Sequence, residues 1–148
     1  MKKIILISSS GGHFEQLMML RYLSKKYRIK VITEKTKYKA QADYYLMQTG
    51  LKDPFFPLKI IINGFKSVYL FFKIRPDIII TTGTMVCIPL CLFAKLFKKK
   101  IVYIETFARV NDASKTGKLM YKFADLFIIQ WKELQAIYPK AVYGGGIY

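Results

Sequence analysis

Short apolar runs alternate with longer amphipathic segments along this chain. The runs are typical of parallel strands covered on both faces, and they lie at residues 4–7, 28–33, 78–83, 101–105 and 126–130. Segments that suit helices lie between and after them, at residues 13–26, 59–73, 89–97, 114–124 and 131–138. This alternation predicts βαβ units, and hence a Rossmann-like α/β domain with a mostly parallel sheet and helices on both faces.

The length and the charge of the chain add two expectations. Its 148 residues suit a single domain, residues 1–148. The 25 Lys and Arg residues exceed the 9 Asp and Glu residues, and the resulting net charge of +16 indicates an anionic partner. Because 53% of the residues are also hydrophobic, an anionic membrane surface is favoured over nucleic acid. A basic peripheral membrane or nucleic-acid-binding module without enzymatic activity is the alternative function.

Residues 78–94 form an uncharged stretch of the kind found in membrane spans. The sequence T-T-G-T and Pro89 interrupt it, so a strand, a turn and a helix are the favoured interpretation, and a transmembrane span is the alternative. Cys87 and Cys91 lie in its second half without further metal ligands nearby, and we expect them to be small buried residues in a reducing compartment. The predicted location is the cytoplasmic face of the cell membrane, with peripheral or shallow insertion.

Two groups of lysines are candidate membrane contacts. Lys59, Lys66 and Lys73 share one side of a predicted helix whose remaining surface is almost entirely apolar. That pattern suits a buried helix with one solvated stripe, or a helix that lies in the lipid interface while its lysines reach the phosphates. The second group, which follows the next apolar helix, consists of Lys98, Lys99 and Lys100.

Hydroxyl groups and glycines follow two of the predicted strands, at the edge of the sheet where α/β folds bind ligands. They are Ser9, Ser10, Gly11, Gly12, Gly83 and Thr84. Gly11 and Gly12 allow a close turn, after which a helix N-terminus would face a phosphate or diphosphate. A tight turn without a ligand is the alternative. His13, the only histidine, begins that helix. It is either a catalytic group that donates or accepts a proton, or a structural hydrogen-bonding group.

Glu105 and Arg109 follow another strand and complete the candidate ligand site. Glu105 is suited to bind sugar hydroxyls and Arg109 to bind a phosphate, or the two form an ion pair that holds the loop.

The glycine turn matches neither the dinucleotide motif G-x-G-x-x-G nor the Walker A motif. The sequence also lacks a second histidine for a nucleophile relay and a D-x-D for a metal-nucleotide. We therefore expect no cofactor and no metal.

Five short motifs occur in order along nearly the whole chain: S-S-G-G-H at residues 9–13, T-T-G-T at 81–84, I-E-T-F-A-R at 104–109, S-K-T-G-K-L at 114–119 and Q-W-K-E-L at 130–134. In these motifs the chain resembles the asparagine-linked glycosylation protein 14 family, in particular its bacterial capsular and exopolysaccharide biosynthesis members. The resemblance implies a fold equivalent to the N-terminal half of a B-fold glycosyltransferase, similar to the N-terminal domain of the peptidoglycan glycosyltransferase that makes lipid II.

The same resemblance implies a two-component glycosyltransferase. This chain would be its non-donor subunit, inactive or weakly active alone, and would bind a polyprenyl-diphosphate-linked sugar at the membrane. A UDP-sugar-binding subunit would be its partner in polysaccharide or lipid-linked oligosaccharide biosynthesis. Gly11 and Gly12 would leave room for the acceptor diphosphate, with His13 beside the attacking sugar hydroxyl. Eukaryotic relatives carry an N-terminal anchor, whereas this chain begins with its first strand, so its basic and apolar helices would supply the membrane attachment.

The aromatic C-terminal segment is the candidate partner-binding surface. Tyr143 and Tyr148 flank a glycine tract, and aromatic residues of this kind commonly anchor interfaces. For Trp131, which precedes them, packing on the domain's own sheet is the alternative. We expect the tail to become ordered when the partner binds.

Overall fold

The computed structural model describes residues 1–37 and 40–148 and contains one parallel sheet in the order β3-β2-β1-β4-β5-β6-β7. The strands are β1 (Lys3–Ile7), β2 (Arg28–Lys35), β3 (Tyr44–Met47), β4 (Ile78–Thr81), β5 (Lys100–Ile104), β6 (Leu126–Ile129) and β7 (Val142–Tyr143). The α-helices are α1 (Gly12–Met18), α2 (Phe56–Ile74), α3 (Ile88–Leu96) and α4 (Lys115–Met120), and 3-10 segments cover Met19–Lys25, Met85–Cys87 and Lys132–Ala136. The predicted fold class is confirmed.

The two faces of the sheet have separate apolar cores. Because successive side chains of a strand point to opposite faces, Ile5 and Ile7 pack with Leu90 and other residues of α2, α3 and α4. Ile4 and Leu6 pack on the other face, against α1 and the 3-10 segment that follows it. Burial on both faces explains why β1 is continuously apolar.

The helices differ from the predicted ones in several places, and the helix expected at residues 131–138 is only a 3-10 segment, Lys132–Ala136. The expected helix at 13–26 is α1 followed by a 3-10 segment, and α4 ends at Met120 rather than at residue 124. Helix α2 begins at Phe56, three residues before its predicted start at residue 59. Pro57 is tolerated there because the first helical turn does not need its missing N–H.

The uncharged stretch at residues 78–94 consists of β4, a 3-10 segment and most of α3, as the favoured interpretation predicts. Across residues 1–37 and 40–148, none of the helices combines the length and the apolar character needed to cross a bilayer.

The sequence does not predict strands β3 and β7. Both are short and lie at the edges of the sheet, where a continuous apolar run is not required.

The central pair of strands creates a crevice at their carboxyl ends. From β1 the chain crosses to β2 on one side, whereas β4 lies on the other side of β1. A reversal of strand order of this kind leaves an opening between the loops that follow the two strands. The loops that follow β1 and β4 therefore face the same opening.

Candidate functional site

The turns after β1 and β4 are joined by reciprocal hydrogen bonds. His13 Nδ1 lies 2.8 Å from the Thr82 carbonyl oxygen, and the Thr82 hydroxyl donates to the His13 carbonyl oxygen over 2.7 Å. The Ser9 amide donates to the Gly83 carbonyl oxygen over 3.3 Å. The structure therefore brings together the candidate residues of both turns, although His13 and Thr82 lie 69 positions apart in the sequence.

The bond to Thr82 determines which nitrogen of His13 carries the proton. A carbonyl oxygen can only accept, so Nδ1 must donate, and the neutral ring then has an unprotonated Nε2. The side chain is half-buried. Such a histidine is held in one orientation and keeps one nitrogen able to accept a proton.

Gly83 allows the β4 turn to pass close to the sheet. Its φ of +101° lies in the left-handed region, and a Cβ at this position would lie 3.1 Å from the Tyr103 hydroxyl oxygen. Next to it, the Thr84 carbonyl oxygen accepts from the Cys87 amide over 3.1 Å, which starts the 3-10 segment. Both residues shape the turn through their backbone.

A cleft of about 900 Å³ opens beside the β1–α1 turn. Its lining includes Ser10, Gly11, Phe14, Glu15, Thr36 and Lys37. A Cβ at Gly11 or Gly12 would meet nothing within 4 Å, so the space over the turn is open. The cleft has the size of a small-molecule site, and its described lining carries the cation of Lys37 and the carboxylate of Glu15.

Glu105 is completely buried, and its carboxylate is surrounded by donors from its own chain. The four donors are the Thr106 amide at 3.1 Å, the Ser114 amide at 3.2 Å, the Ser114 hydroxyl at 2.7 Å and the Tyr138 hydroxyl at 2.7 Å. A Cβ at Gly117 would lie 2.1 Å from Glu105 Oε2, so only glycine lets α4 start this close to the carboxylate. Burial and the hydrogen bond to Glu105 raise the pKa of Tyr138, which keeps the phenol protonated as a donor.

Arg109 lies on the exposed loop after β5 and forms an ion pair with Asp112. The ion pair between Glu105 and Arg109, one of the two expected arrangements, is therefore not present. Glu105 holds the loop through Ser114 and Tyr138 instead. The side chain of Arg109 remains exposed at the edge of the sheet that carries the crevice.

Comparison with known proteins identifies the family. The family model described as "Oligosaccharide biosynthesis protein Alg14 like" matches residues 54–147. The chain belongs to the Alg14 family. The rat protein named UDP-N-acetylglucosamine transferase subunit ALG14 is 31% identical, over 97% of this chain and 82% of the rat protein. The Yarrowia lipolytica protein of the same name is 29% identical, over 97% of this chain and 80% of its own length. The human protein matches at 38% identity over 55% of this chain and 40% of its length.

Solved structures share the fold of this chain. The chain superposes on MurG of Acinetobacter baumannii with a TM-score of 0.71 at 16% identity, covering 89% of this chain and 42% of MurG. It superposes on the UDP-N-acetylglucosamine 2-epimerase of Rickettsia bellii with a TM-score of 0.77 at 17% identity, covering 99% of this chain and 45% of the epimerase. This confirms the Rossmann-like half of a B-type glycosyltransferase or epimerase fold.

Two buried glutamines support the crevice of this Alg14 family chain, and the sequence pattern does not predict their role. Gln130 Nε2 donates to Gln16 Oε1 over 2.9 Å and to the Glu105 carbonyl oxygen over 3.0 Å. Gln16 Oε1 also accepts from the Phe107 amide over 3.0 Å. The only signal in the sequence is a polar residue on the apolar side of α1. The two amides tie α1, the β5 loop and the end of β6 into one unit.

The C-terminal tail packs against its own domain. The Ile147 amide donates to Gln130 Oε1 over 2.9 Å, and the Tyr148 ring contacts Phe107 edge-on at 5.4 Å between centroids. Trp131 Nε1 donates to the Phe107 carbonyl oxygen over 2.7 Å. Trp131 therefore packs within its own domain, as the alternative interpretation predicts. The expectation that the tail becomes ordered when the partner binds is wrong, because Gln130 and Phe107 of the same chain already supply contacts to it. Tyr143 and Tyr148 themselves remain exposed.

Two of the three lysines in the predicted stripe of α2 lie against β3. Lys59 forms an ion pair with Asp53, Lys66 donates to the Tyr45 carbonyl oxygen, and Lys73 Nζ lies 5.2 Å from the centroid of the Tyr44 ring. The apolar remainder of the helix is only partly buried. The exposed apolar residues of α2 and α3 form what we call the α2–α3 surface: Leu58, Ile61, Ile62, Phe65, Tyr69, Phe72, Leu92, Leu96 and Phe97.

The second lysine group lies at the end of the α2–α3 surface. Lys98 is exposed, Lys99 is half-buried, and Lys100 begins β5 with its Nζ 3.9 Å from Asp125 Oδ1. Lys95 of α3 shares the same carboxylate at 3.6 Å. The surface is therefore bordered by cations at this end as well as along β3.

Proposed function

We propose that this Alg14 family chain binds a polyprenyl-diphosphate-linked sugar in the β1/β4 crevice and works with a UDP-sugar-binding partner. The observation that carries the proposal is the oriented His13 beside an open glycine turn. The name of the rat and yeast relatives, a transferase subunit, supports a two-component enzyme over a module without activity. It also makes N-acetylglucosamine the first sugar to test. A bacterial capsular or exopolysaccharide pathway stays a prediction, because the relatives named above come from eukaryotes.

The proposed reaction is a single group transfer. A hydroxyl of the acceptor sugar attacks C1 of the UDP-sugar, the new C1–O bond forms, and the C1–O bond to the diphosphate breaks to release UDP. His13 Nε2 accepts the proton of the attacking hydroxyl, because Nδ1 is committed to Thr82. The serines and glycines of the β1–α1 turn, together with Gly83 and Thr84, surround the acceptor diphosphate. The exposed Arg109 exchanges its Asp112 partner for a phosphate when the acceptor binds.

Replacement of His13 by asparagine tests this role. The asparagine amide can still donate towards the Thr82 carbonyl oxygen, but it cannot accept a proton as a base. We expect the variant to fold and to bind its partner, while transfer by the complex falls about 10²- to 10⁴-fold. The measurement is transfer of labelled sugar to the lipid acceptor by the purified complex. An undiminished rate would remove the catalytic part of the proposal.

Attachment to the cytoplasmic face of the membrane is proposed for the α2–α3 surface. Its apolar side chains suit insertion into the lipid interface, and the bordering lysines each contribute about 1 kcal/mol near an anionic surface. We expect Phe65→Ser to weaken binding to anionic vesicles in flotation experiments, whereas Tyr22→Ser, which removes an exposed ring outside this surface, does not. Equal flotation of the two variants would contradict this assignment.

Partner recruitment is proposed for Tyr143 and Tyr148. Both rings are exposed although the tail is packed on the domain. Replacing both by serine leaves the Ile147 contact in place but removes the ring contact between Tyr148 and Phe107. We therefore expect only a small loss of thermal stability, together with loss of co-purification with the donor subunit. If the variant still captures the partner and supports full transfer, the recruitment surface lies elsewhere.

A further inference from the structure

The amino ends of the strands enclose a basic pocket opposite the crevice. It is a cavity of about 260 Å³ between the starts of β1, β2 and β3 and the end of α2. Its lining consists of four cationic side chains, a tyrosine and an isoleucine, which are Lys3, Arg28, Lys30, Lys73, Tyr44 and Ile74. We call this cavity the amino-edge pocket. It shares no residue with the β1/β4 crevice.

The strand register places cations where the apolar core would otherwise continue. Lys3 precedes Ile5 by two positions and Lys30 precedes Ile32 by two positions, so each cation lies on the same face as a fully buried core residue. Lys3 is also the direct cross-strand partner of Arg28. Like charges placed directly opposite each other destabilise a sheet. A bound anion would offset that repulsion.

The nearby carboxylates leave the pocket with an excess of positive charge. Asp77 accepts a hydrogen bond from the Lys3 amide and Asp43 accepts one from the Val31 amide, both over 2.8 Å. Lys30 Nζ lies 3.5 Å from Asp43, at the long end of an ion pair. Within residues 1–37 and 40–148, the ion pairs do not include the other three cations that line the pocket.

We propose that the amino-edge pocket binds a phosphate group, supplied by the headgroup of an anionic membrane lipid. The cluster of lysines and an arginine provides the charge, and the arginine fork suits phosphate oxygens. The lipid source follows from position, because Lys73 adjoins the exposed Phe72 at the end of the α2–α3 surface. Phosphate binding is independent of the proposed transfer reaction, whereas the lipid source rests on the proposed membrane attachment.

Phosphate binding is tested first, with inorganic phosphate and the full-length ¹⁵N-labelled chain. We expect saturable shifts of the backbone amides of Arg28, Lys30 and Tyr44 in NMR titrations. The double variant Lys30→Gln/Lys73→Gln weakens this binding roughly tenfold or more. A control that removes the same charge from exposed lysines elsewhere, Lys118→Gln/Lys122→Gln, keeps it. The absence of saturable shifts, or an equal loss in the control, overturns the site.

Vesicle flotation then separates a lipid headgroup from a soluble phosphate. With vesicles of phosphatidylcholine and phosphatidic acid, we expect the pocket variant to lose about tenfold more affinity than the control variant, and neither to change on phosphatidylcholine alone. The opposite outcome is that the two variants lose vesicle affinity equally while inorganic phosphate still binds through the pocket. That result would overturn the proposal that a lipid headgroup supplies the phosphate. Transfer by the complex to a water-soluble acceptor is recorded separately. If the complex that contains the wild-type chain fails to transfer sugar, the result counts against the proposed function and not against this pocket.

Discussion

The β1–α1 turn and the β5–α4 loop lie at the same edge of the sheet, and both place polar residues directly after an apolar strand. In the first, hydrogen bonds to the β4 turn orient the His13 ring and engage its Nδ1. In the second, the carboxylate of Glu105 is buried and receives four donors from its own chain. A polar residue at a strand end is thus a candidate ligand only when the chain does not itself supply its partners.

The glycines of the two regions explain how this difference arises. A Cβ at Gly11 would meet nothing within 4 Å, whereas a Cβ at Gly117 would lie 2.1 Å from Glu105 Oε2. The first glycine borders open space, and the second lets a helix close over a carboxylate. Substitutions in the closed region should therefore affect stability, and substitutions in the open region should affect transfer.

The largest stability effect is expected for Gly117→Ala. The added methyl group cannot fit beside the Glu105 carboxylate without moving α4, so we expect a loss of about 3 kcal/mol in the free energy of unfolding. The control is Gly64→Ala, because Gly64 lies inside α2 with open space around it. That change should stabilise the chain by about 0.5–1 kcal/mol. Urea unfolding measures both, and equal effects of the two substitutions would contradict the closed packing.

A smaller loss is expected for Tyr138→Phe. The substitution keeps the buried ring but removes the donor to Glu105 Oε2, which costs about 1–2 kcal/mol in the free energy of unfolding. The matched control is Tyr22→Phe, because Tyr22 is exposed. Thermal unfolding of the two variants compares them directly. A Tyr138→Phe protein as stable as the control would mean that the carboxylate does not depend on this phenol.

The smallest effect concerns Glu34, near the carboxyl end of β2. Burial raises the pKa of Glu34, only partly opposed by the hydrogen bond from Thr49. A raised folded-state pKa favours the protonated acid, so the associated stability is present at low pH and is lost as the pH rises through that pKa. We expect Glu34→Gln to be more stable than the wild type at pH 8, by less than about 1 kcal/mol, with a smaller difference at pH 4.

Thermal unfolding at the two pH values measures this difference. Glu133→Gln is the control, because Glu133 is exposed and should show no such dependence. A difference between Glu34→Gln and the wild type that stays constant with pH would contradict the role given to burial.

The sequence predicts the parallel sheet well because its central strands are buried on both faces and are therefore continuously apolar. It also locates the turns at Gly11 and Gly83, since hydroxyls and glycines after a strand are a local signal. It does not reveal how Glu105 is satisfied, because Ser114 and Tyr138 are brought to it by α4 and the segment after β6. The role of Gln16 is hidden for the same reason, since its partner Gln130 is 114 positions away. Contacts of this range depend on packing that local patterns do not encode.

The central position of β1 also affects how the protein can be made by a ribosome. The strand is synthesised before β4, which is one of its two neighbours, and the bond between the Lys3 amide and Asp77 joins positions 74 residues apart. Pairing over such distances slows folding, because the intervening chain must be ordered before the contact forms. Until β4 has left the exit tunnel, one edge of this apolar strand stays unpaired, and the nascent chain is then most exposed to aggregation and to capture by chaperones.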